Sequence, residues 1–387
     1  FSHILGQIDT DNNGVSGIEK SFDYELTTSK KPLKLSLDTE IQYLIREELI
    51  KFQEIFNSYG STAILMNVNN GEILSMVSLP DYDLNKRKNI SDKKFINRST
   101  KGVYELGSVF KTFTLAAGLH ENVIQKNTLF ENLPKKIKCA GRAISEYDLD
   151  IPSSLTAEEI LIRSGNIGSI KIAQKVGLEN FKDFLENLDL LNKIQFDIEE
   201  VGNPIPFKWG KCKLATSAYG HGITTTPLQL AKAYAIIANG GYKIKPTLIK
   251  KEKNLKRGEQ IITQENSNKI NKILRKIVTS EQGTANLANI AGYEIAGKTG
   301  TAQKSIKGKY SKKKINTFAS IFPISSPKYV LIVLLDEPKL SETYIYEYND
   351  GKKRKIIGTP FNTAGWTSVE VAKNIIEKIG PILAIKY

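Results

Sequence analysis

From Thr39 onward the apolar positions recur with a helical period. Ile41, Leu44, Ile45, Leu49 and Phe52 share one face, which predicts an amphipathic helix. Thr39-Glu40-Ile41-Gln42 has the form of a capping box at its start. Two short apolar runs follow, Ser61 to Val68 and Glu72 to Val77, joined at Asn70-Gly71. That dipeptide accepts the positive φ values of a tight hairpin turn. Both runs are apolar on both faces, so helices are expected on each side of their sheet. Residues 107–285 then read as mostly helical. Within them, Thr226-Pro227 opens the run Leu228 to Ile237, which stops at Asn239-Gly240-Gly241, and a further helix covers roughly 266–278. Strands return at Ile295 to Ala302, Thr317 to Phe322 and Tyr329 to Leu335, and an amphipathic helix, Ser368 to Ile379, closes the pattern. This order predicts an α/β chain of the α+β kind, with one antiparallel sheet, helices on its faces and a helical subdomain between its parts.

Residues 1–32 are polar and glycine-rich, as expected for the tail of an upstream module plus a linker, with the main domain starting near Leu33. The chain begins at Phe1 rather than at a methionine and is therefore expected to be a fragment or a processed form. Its longest apolar run, Tyr329 to Leu335, is far too short to span a bilayer, so any anchor is expected upstream.

The 387 residues, 40% of them hydrophobic, suffice for a sizeable core, and the net charge is +14. A basic balance can signal an anionic partner. Here the lysines are scattered, and no basic stripe alternates with aromatic residues as a nucleic-acid groove requires. No nucleic-acid partner is expected. The densest cluster, Lys304 to Lys314, falls between strand candidates and reads as a solvated loop. Cys139 and Cys212 allow one disulfide without establishing it, and His3, His120 and His221 lack metal-ligand spacing. Both His120 and His221 read as structural.

The chemistry is concentrated in three short motifs. Gly107-Ser108-Val109-Phe110-Lys111 opens an apolar run, and on a helix Lys111 lies one turn beyond Ser108. A hydroxyl becomes a useful nucleophile when a base is within hydrogen-bond reach, and a desolvated lysine can be that base. Alone this signal is weak, because Ser-x-x-Lys recurs at Ser91/Lys94, Ser311/Lys314 and Ser325/Lys328, none of which opens an apolar helix. Ser164-Gly165-Asn166 follows in a turn before the helical run Ile167 to Val176, and Lys298-Thr299-Gly300-Thr301 lies in a strand candidate flanked by Gly297. A glycine inside a strand often marks the close approach of a ligand or another backbone. Taken singly, Ser164 reads as a helix cap and Lys298 as an edge-strand lysine. In this order the three motifs are the signature of penicillin-binding proteins and serine β-lactamases.

The sequence resembles the class B penicillin-binding proteins, the monofunctional peptidoglycan D,D-transpeptidases. The resemblance extends to Gly14-Val15-Ser16-Gly17-Ile18-Glu19, similar to the end of the family's non-catalytic pedestal, and to Asn97-Arg98-Ser99 through Tyr104-Glu105-Leu106-Gly107-Ser108. Tyr219-Gly220-His221-Gly222-Ile223 with Thr226 to Ala231 is a further family-like stretch, as is Thr317-Phe318-Ala319 with Leu335-Asp336-Glu337-Pro338, and both look more like the division-specific (septal) type than the elongation type. Leu106 departs from the proline usual in the family. The resemblance implies a five-stranded antiparallel sheet flanked by helices with an all-helical subdomain. It also implies a pedestal remnant over 1–32 and a transpeptidase domain over 33–387.

It further implies roles. Ser108 would attack the D-Ala–D-Ala carbonyl of a stem peptide, and Lys111 would take its proton as a neutral amine. Burial and the nearby cation Lys298 both push a lysine in that direction. Ser164 would pass a proton toward the leaving D-alanine, and Asn166 would hold the substrate amide and steady Lys111. Thr299, Gly300 and Thr301, beside Lys298, would receive the terminal carboxylate, with the N–H groups of Ser108 and Thr301 as oxyanion hole. The expected partners are stem peptides as donor and amine acceptor, β-lactam antibiotics, a septal glycosyltransferase and other division proteins. The expected location is the extracytoplasmic (periplasmic) face of the cytoplasmic membrane, held by an upstream segment. No metal or organic cofactor is needed. A D,D-carboxypeptidase or β-lactamase-type hydrolase, or a non-catalytic β-lactam-binding sensor, is the alternative.

Overall fold

Five strands, β1 (Gly60–Asn67), β2 (Ile73–Leu79), β3 (Ala296–Ile306), β4 (Lys309–Phe322) and β5 (Tyr329–Asp336), form one sheet in the order β2-β1-β5-β4-β3. Every neighbouring pair is antiparallel. All of β2 and β5, and all of β1 but its last residue, are buried, as befits strands apolar on both faces. The computed structural model describes residues 1–86, 92–251, 257–306, 309–348 and 354–387. Ser91 of the first decoy motif and Lys307 of the lysine cluster lie outside the described residues.

The helices that matter for the site are α1 (Thr39–Ile55), α2 (Lys111–His120), α3 (Ala157–Ile162), α4 (Asn166–Val176), α5 (Leu178–Asn187), α6 (Lys211–Ser217), α7 (Pro227–Ala238), α8 (Gln264–Thr279) and α9 (Ser368–Lys386). α1 and α9 pack on each other and on the sheet, while α7 and α8 pack together against its strands β1, β3, β4 and β5. The helical block α2 to α6 sits between β2 and β3 in sequence and packs around α2 and α4. It is not purely helical. Leu129–Phe130 pairs with Leu155–Thr156, and Lys136–Cys139 pairs with Arg142–Ser145 in a small hairpin.

Local signals place several boundaries. Thr226 and Gln229 close a capping box on α7 with Pro227 in its first turn. The start of α1 differs from the expected box. Asp38, one residue earlier, accepts from the N–H groups of Glu40 and Ile41. Gln42 is instead buried, donating to the Met76 carbonyl and accepting from Ser75 Oγ and Met76 N, so it anchors the helix to β2.

The lysine cluster is the main correction. Residues 304–306 and 309–314 are the outer ends of the β3–β4 hairpin rather than a loop. Lys304 pairs with Asp336 and Glu337, and Lys313 with Glu337, so part of this charge is compensated in the fold. Residues 1–28 form a short two-stranded ladder with small helices and bury Ile4 and Ile18. Asn97 Nδ2 and Tyr82 donate to the carbonyls of His3 and Ser2, holding this segment on the main body. Cys139 and Cys212 form a disulfide with Cα atoms 5.6 Å apart, which ties the small hairpin to α6.

Candidate active site

Ser108 lies on a short 3-10 turn, Gly107–Phe110, that runs straight into α2. Its residue is only partly buried, whereas every position from Lys111 to Leu119 is buried. Two glycines explain how this turn is held. A Cβ on Gly300 would stand 2.2 Å from the Leu106 carbonyl oxygen, so β3 runs hard against the residues that carry Ser108. Gly220 has φ +81°, and a Cβ there would meet the Gly107 carbonyl oxygen at 1.9 Å. The turn bearing Ser108 is therefore in close contact with both the Lys298–Thr301 strand and the Tyr219–Gly222 loop.

The three motifs converge. Lys298 Nζ donates to Ser164 Oγ at 2.9 Å, and Lys111 Nζ donates to the same oxygen at 3.2 Å and to the Ser164 carbonyl. Ser164 presents both groups because its φ is +58°, a left-handed conformation at a non-glycine residue. The side chains of Lys111 and Lys298 are 1% and 0% exposed. Burial therefore lowers Lys111 to about 7, against a weaker upward pull from Glu146. Burial also carries Lys298 well below the usual lysine range, helped by the neighbouring Lys111 charge. Among the described residues no hydrogen bond joins the Ser108 hydroxyl to either lysine. Catalytic hydrogen bonds often tighten only when substrate arrives.

Asn166 opens α4 beside this pair, but among the described residues no hydrogen bond joins its side chain to Lys111. Its Nδ2 donates to the Ser145 carbonyl at 2.8 Å, and the lysine is steadied by Ser164 instead. Thr299 is 7% exposed and shares a 2.6 Å hydrogen bond with Thr284, a residue that no motif singled out. Thr301 Oγ1 accepts from Ala364 N at 2.9 Å, which leaves the hydroxyl proton of Thr301 to donate elsewhere.

The rim holds groups that the motifs do not contain. Glu105 accepts from Gly222 N at 2.9 Å and from the Tyr310 hydroxyl at 3.0 Å, linking the lead-in to Ser108 to the 219–222 loop and to β4. The ring of His221, read from sequence as structural, lies against Tyr219 and Tyr310. Burial, then the Lys111 charge, lowers His221 to about 4, so it is neutral beside the site.

Residues 61–362 match the family described as the penicillin binding protein transpeptidase domain, and that span contains all three motifs. The chain belongs to the penicillin-binding protein transpeptidase family. It is 32% identical over its whole length to a probable peptidoglycan D,D-transpeptidase FtsI of Caulobacter vibrioides, of which it covers 65%. It is 29% identical to the peptidoglycan D,D-transpeptidase FtsI of Escherichia coli, with 89% of this chain and 62% of that protein covered. The chain thus spans just under two thirds of these relatives. Among solved structures, the transpeptidase domain of Burkholderia pseudomallei penicillin-binding protein 3 superposes with a TM-score of 0.77 at 26% identity, covering 91% of this chain and 97% of that one. Penicillin-binding protein 3 of Mycobacterium tuberculosis, complexed with aztreonam, shares the fold with a TM-score of 0.84 at 23% identity, covering 99% and 88%. The five-stranded antiparallel sheet flanked by helices is the fold of this penicillin-binding family.

Proposed function

We propose that this chain is the catalytic part of a peptidoglycan D,D-transpeptidase of the septal type, and that β-lactams acylate it at Ser108. The observation that carries the reading is the convergence of Lys111 and Lys298 on one hydroxyl, Ser164, beside the turn bearing Ser108. Ser108 Oγ attacks the carbonyl of the donor D-Ala–D-Ala bond while its proton passes to Lys111, which at about 7 is partly neutral at physiological pH. The oxyanion faces the N–H groups of Ser108 and Thr301. When the peptide bond breaks, the departing D-alanine amine takes its proton through Ser164. The stem-peptide ester on Ser108 is then resolved by an amine of a neighbouring stem peptide, which restores the serine.

Lys298, Thr299 and Thr301, with Gly300 keeping the strand close, receive the terminal carboxylate. That anion favours the charged form of Lys298, offsetting the burial that otherwise suppresses it. Asn166 holds the substrate amide. Residues 1–32 are the end of a pedestal and its linker, and 33–387 the transpeptidase domain. Among the described residues no helix is long and apolar enough to cross a membrane. We place the domain on the extracytoplasmic (periplasmic) face of the cytoplasmic membrane, anchored by an upstream segment. There it would work with a septal glycosyltransferase and other division proteins.

The test is labelling with a fluorescent penicillin and assignment of the labelled peptide by mass, followed by cross-linking of lipid-linked peptidoglycan. Stable label on Ser108, lost in Ser108→Ala and strongly slowed in Lys111→Ala, is expected together with cross-linked product. Undiminished labelling of Lys111→Ala would remove the lysine from its role. Turnover within seconds, with the acyl-enzyme formed from benzylpenicillin hydrolysed to penicilloate, would favour the β-lactamase-type hydrolase.

A further inference from the structure

Helix α4 begins with a glycine at its N-cap, Gly165, which has no side chain to satisfy the first N–H groups of the helix. A residue from another element supplies the missing acceptors. Glu146 follows directly on the small hairpin Lys136–Cys139/Arg142–Ser145. Its Oε2 accepts from Asn166 N at 2.6 Å and its Oε1 from Ile167 N at 2.8 Å. The preceding residue adds a third bond, the Ser145 carbonyl accepting from Asn166 Nδ2. Glu146 is 8% exposed, so this carboxylate is largely withdrawn from water, with both oxygens committed to the helix start. The hairpin ladder is extended by Glu146 N donating to the Lys135 carbonyl, and the hairpin is tied to α6 by the Cys139–Cys212 disulfide.

We propose that Glu146 is a positioning residue of this site: its carboxylate pins the turn carrying Ser164 and Asn166 against Lys111. The inference rests on the acyl-transfer reading of Ser108, Lys111 and Ser164. Ser164 needs such an anchor because its left-handed backbone costs on the order of 1–3 kcal/mol and persists only when its surroundings fix it. The residues on both sides of Ser164 are engaged. Its own N–H donates to Leu161 and that of Gly165 to Ile160, while Asn166 and Ile167 are held by Glu146. Removing the carboxylate frees the downstream half of the turn, and with it the oxygen on which both lysines converge.

A residue that only capped α4 would affect folding and nothing else. Glu146 has a second, separable effect through its charge. Four elements present titratable or polar groups to Lys111: the α4 turn with Ser164, β3 with Lys298, the 219–222 loop with His221, and the hairpin with Glu146. Of these Glu146 alone is anionic, and its field favours the ammonium form of Lys111. Glu146→Gln keeps the size and one acceptor oxygen but removes that field.

The experiment measures the second-order rate of acylation by a fluorescent penicillin between pH 5 and 9, with melting curves in parallel and rates normalised to the fraction that ultimately labels. Glu146→Gln is expected to label about ten- to a hundredfold more slowly and to shift the acid limb of its profile to lower pH. If this variant does not fold, Glu146→Asp serves: it keeps the charge but shortens the reach, so slower acylation with an unmoved acid limb is expected. A Glu146→Gln profile with the wild-type acid limb, or Glu146→Asp at the wild-type rate, would overturn the proposal. Failure of the wild-type protein to label at Ser108 would instead overturn the acyl-transfer reading on which it rests.

Discussion

Lys298 Nζ and Ser164 Oγ are 2.9 Å apart, and the amine of Lys111 donates to the same oxygen at 3.2 Å. A hydroxyl has two lone pairs and one proton, so Ser164 accepts from both amines while its own proton points elsewhere. That leaves a hydroxyl able to give a proton to a departing amine and regain it from a lysine. Ser164→Ala is therefore expected to slow acylation by ~10²–10⁴-fold, the usual weight of a positioned proton-transfer group. The same change leaves two buried amines short of a partner, so unfolding in urea is expected to require ~1–3 kcal/mol less. Rates within a few-fold of wild type would remove Ser164 from the relay.

The state of Lys111 sets the pH response. Burial lowers it to about 7 in the folded chain from 10.5 in the open one, so the folded state releases a proton that the unfolded state keeps. Acylation is expected to fall below pH 7 as the base becomes protonated. The cost of burying Lys111 is absent above 10.5, grows as pH falls toward about 7 and is fully present below it. Lys111→Met removes that cost, so the variant is expected to melt higher than wild type at pH 6, with the difference closing toward pH 10. It should also be unable to label. Lys111→Arg is expected to fail too, because a guanidinium stays charged where a neutral base is required. A wild-type rate that is flat from pH 5 to 8 would contradict this assignment.

Much of this architecture was legible because its causes are local. The α7 boundary is fixed by Thr226, Pro227 and Gln229, all within one turn, and β1, β2 and β5 announce themselves by apolar residues on both faces. Where two acceptors compete, locality misleads. Thr39 and Asp38 are both good caps, and only the packing of Gln42 against β2 decides for Asp38. Lys304 and Lys313 read as loop residues because their partners, Asp336 and Glu337, lie at the end of a different strand. In the site, the three motifs were readable but their supports were not. Thr284 reaches Thr299 across a loop, and Glu146 acts through backbone N–H groups, which carry no residue-specific signal. The disulfide was likewise open, since pairing depends on where the hairpin docks.

Gly300 tests whether the strand and the turn bearing Ser108 are one mechanical unit. An added Cβ meets the Leu106 carbonyl oxygen at 2.2 Å and Val109 N at 3.2 Å, both backbone atoms with little freedom to retreat. Gly300→Ala is expected to cost ~1–3 kcal/mol of stability, as overpacking does. It should also displace Ser108 from Lys298 and Thr301, so acylation of the folded fraction should drop by more than tenfold. A variant that melts lower yet labels at the wild-type rate would show that the close approach serves packing alone.

The Cys139–Cys212 bond joins two parts of the helical block that each lead to the site. The hairpin end leads to Glu146 and α4, while α6 leads to the Tyr219–Gly222 loop that presses on Gly107. Their 73-residue separation in sequence means the link removes many open conformations from the unfolded chain, and such bonds are typically worth ~2–4 kcal/mol. Adding a reductant that reaches the bond is therefore expected to lower the denaturation midpoint of the wild-type chain. Cys139→Ser combined with Cys212→Ser should start at that lower midpoint and be insensitive to reductant. Because Glu146 keeps its bonds to Asn166 and Ile167 in that variant, labelling of the folded protein should fall less than in Glu146→Gln, and its acid limb should stay in place. A larger loss of labelling without the disulfide than without the carboxylate would mean that the covalent tie, rather than the charge, holds the turn.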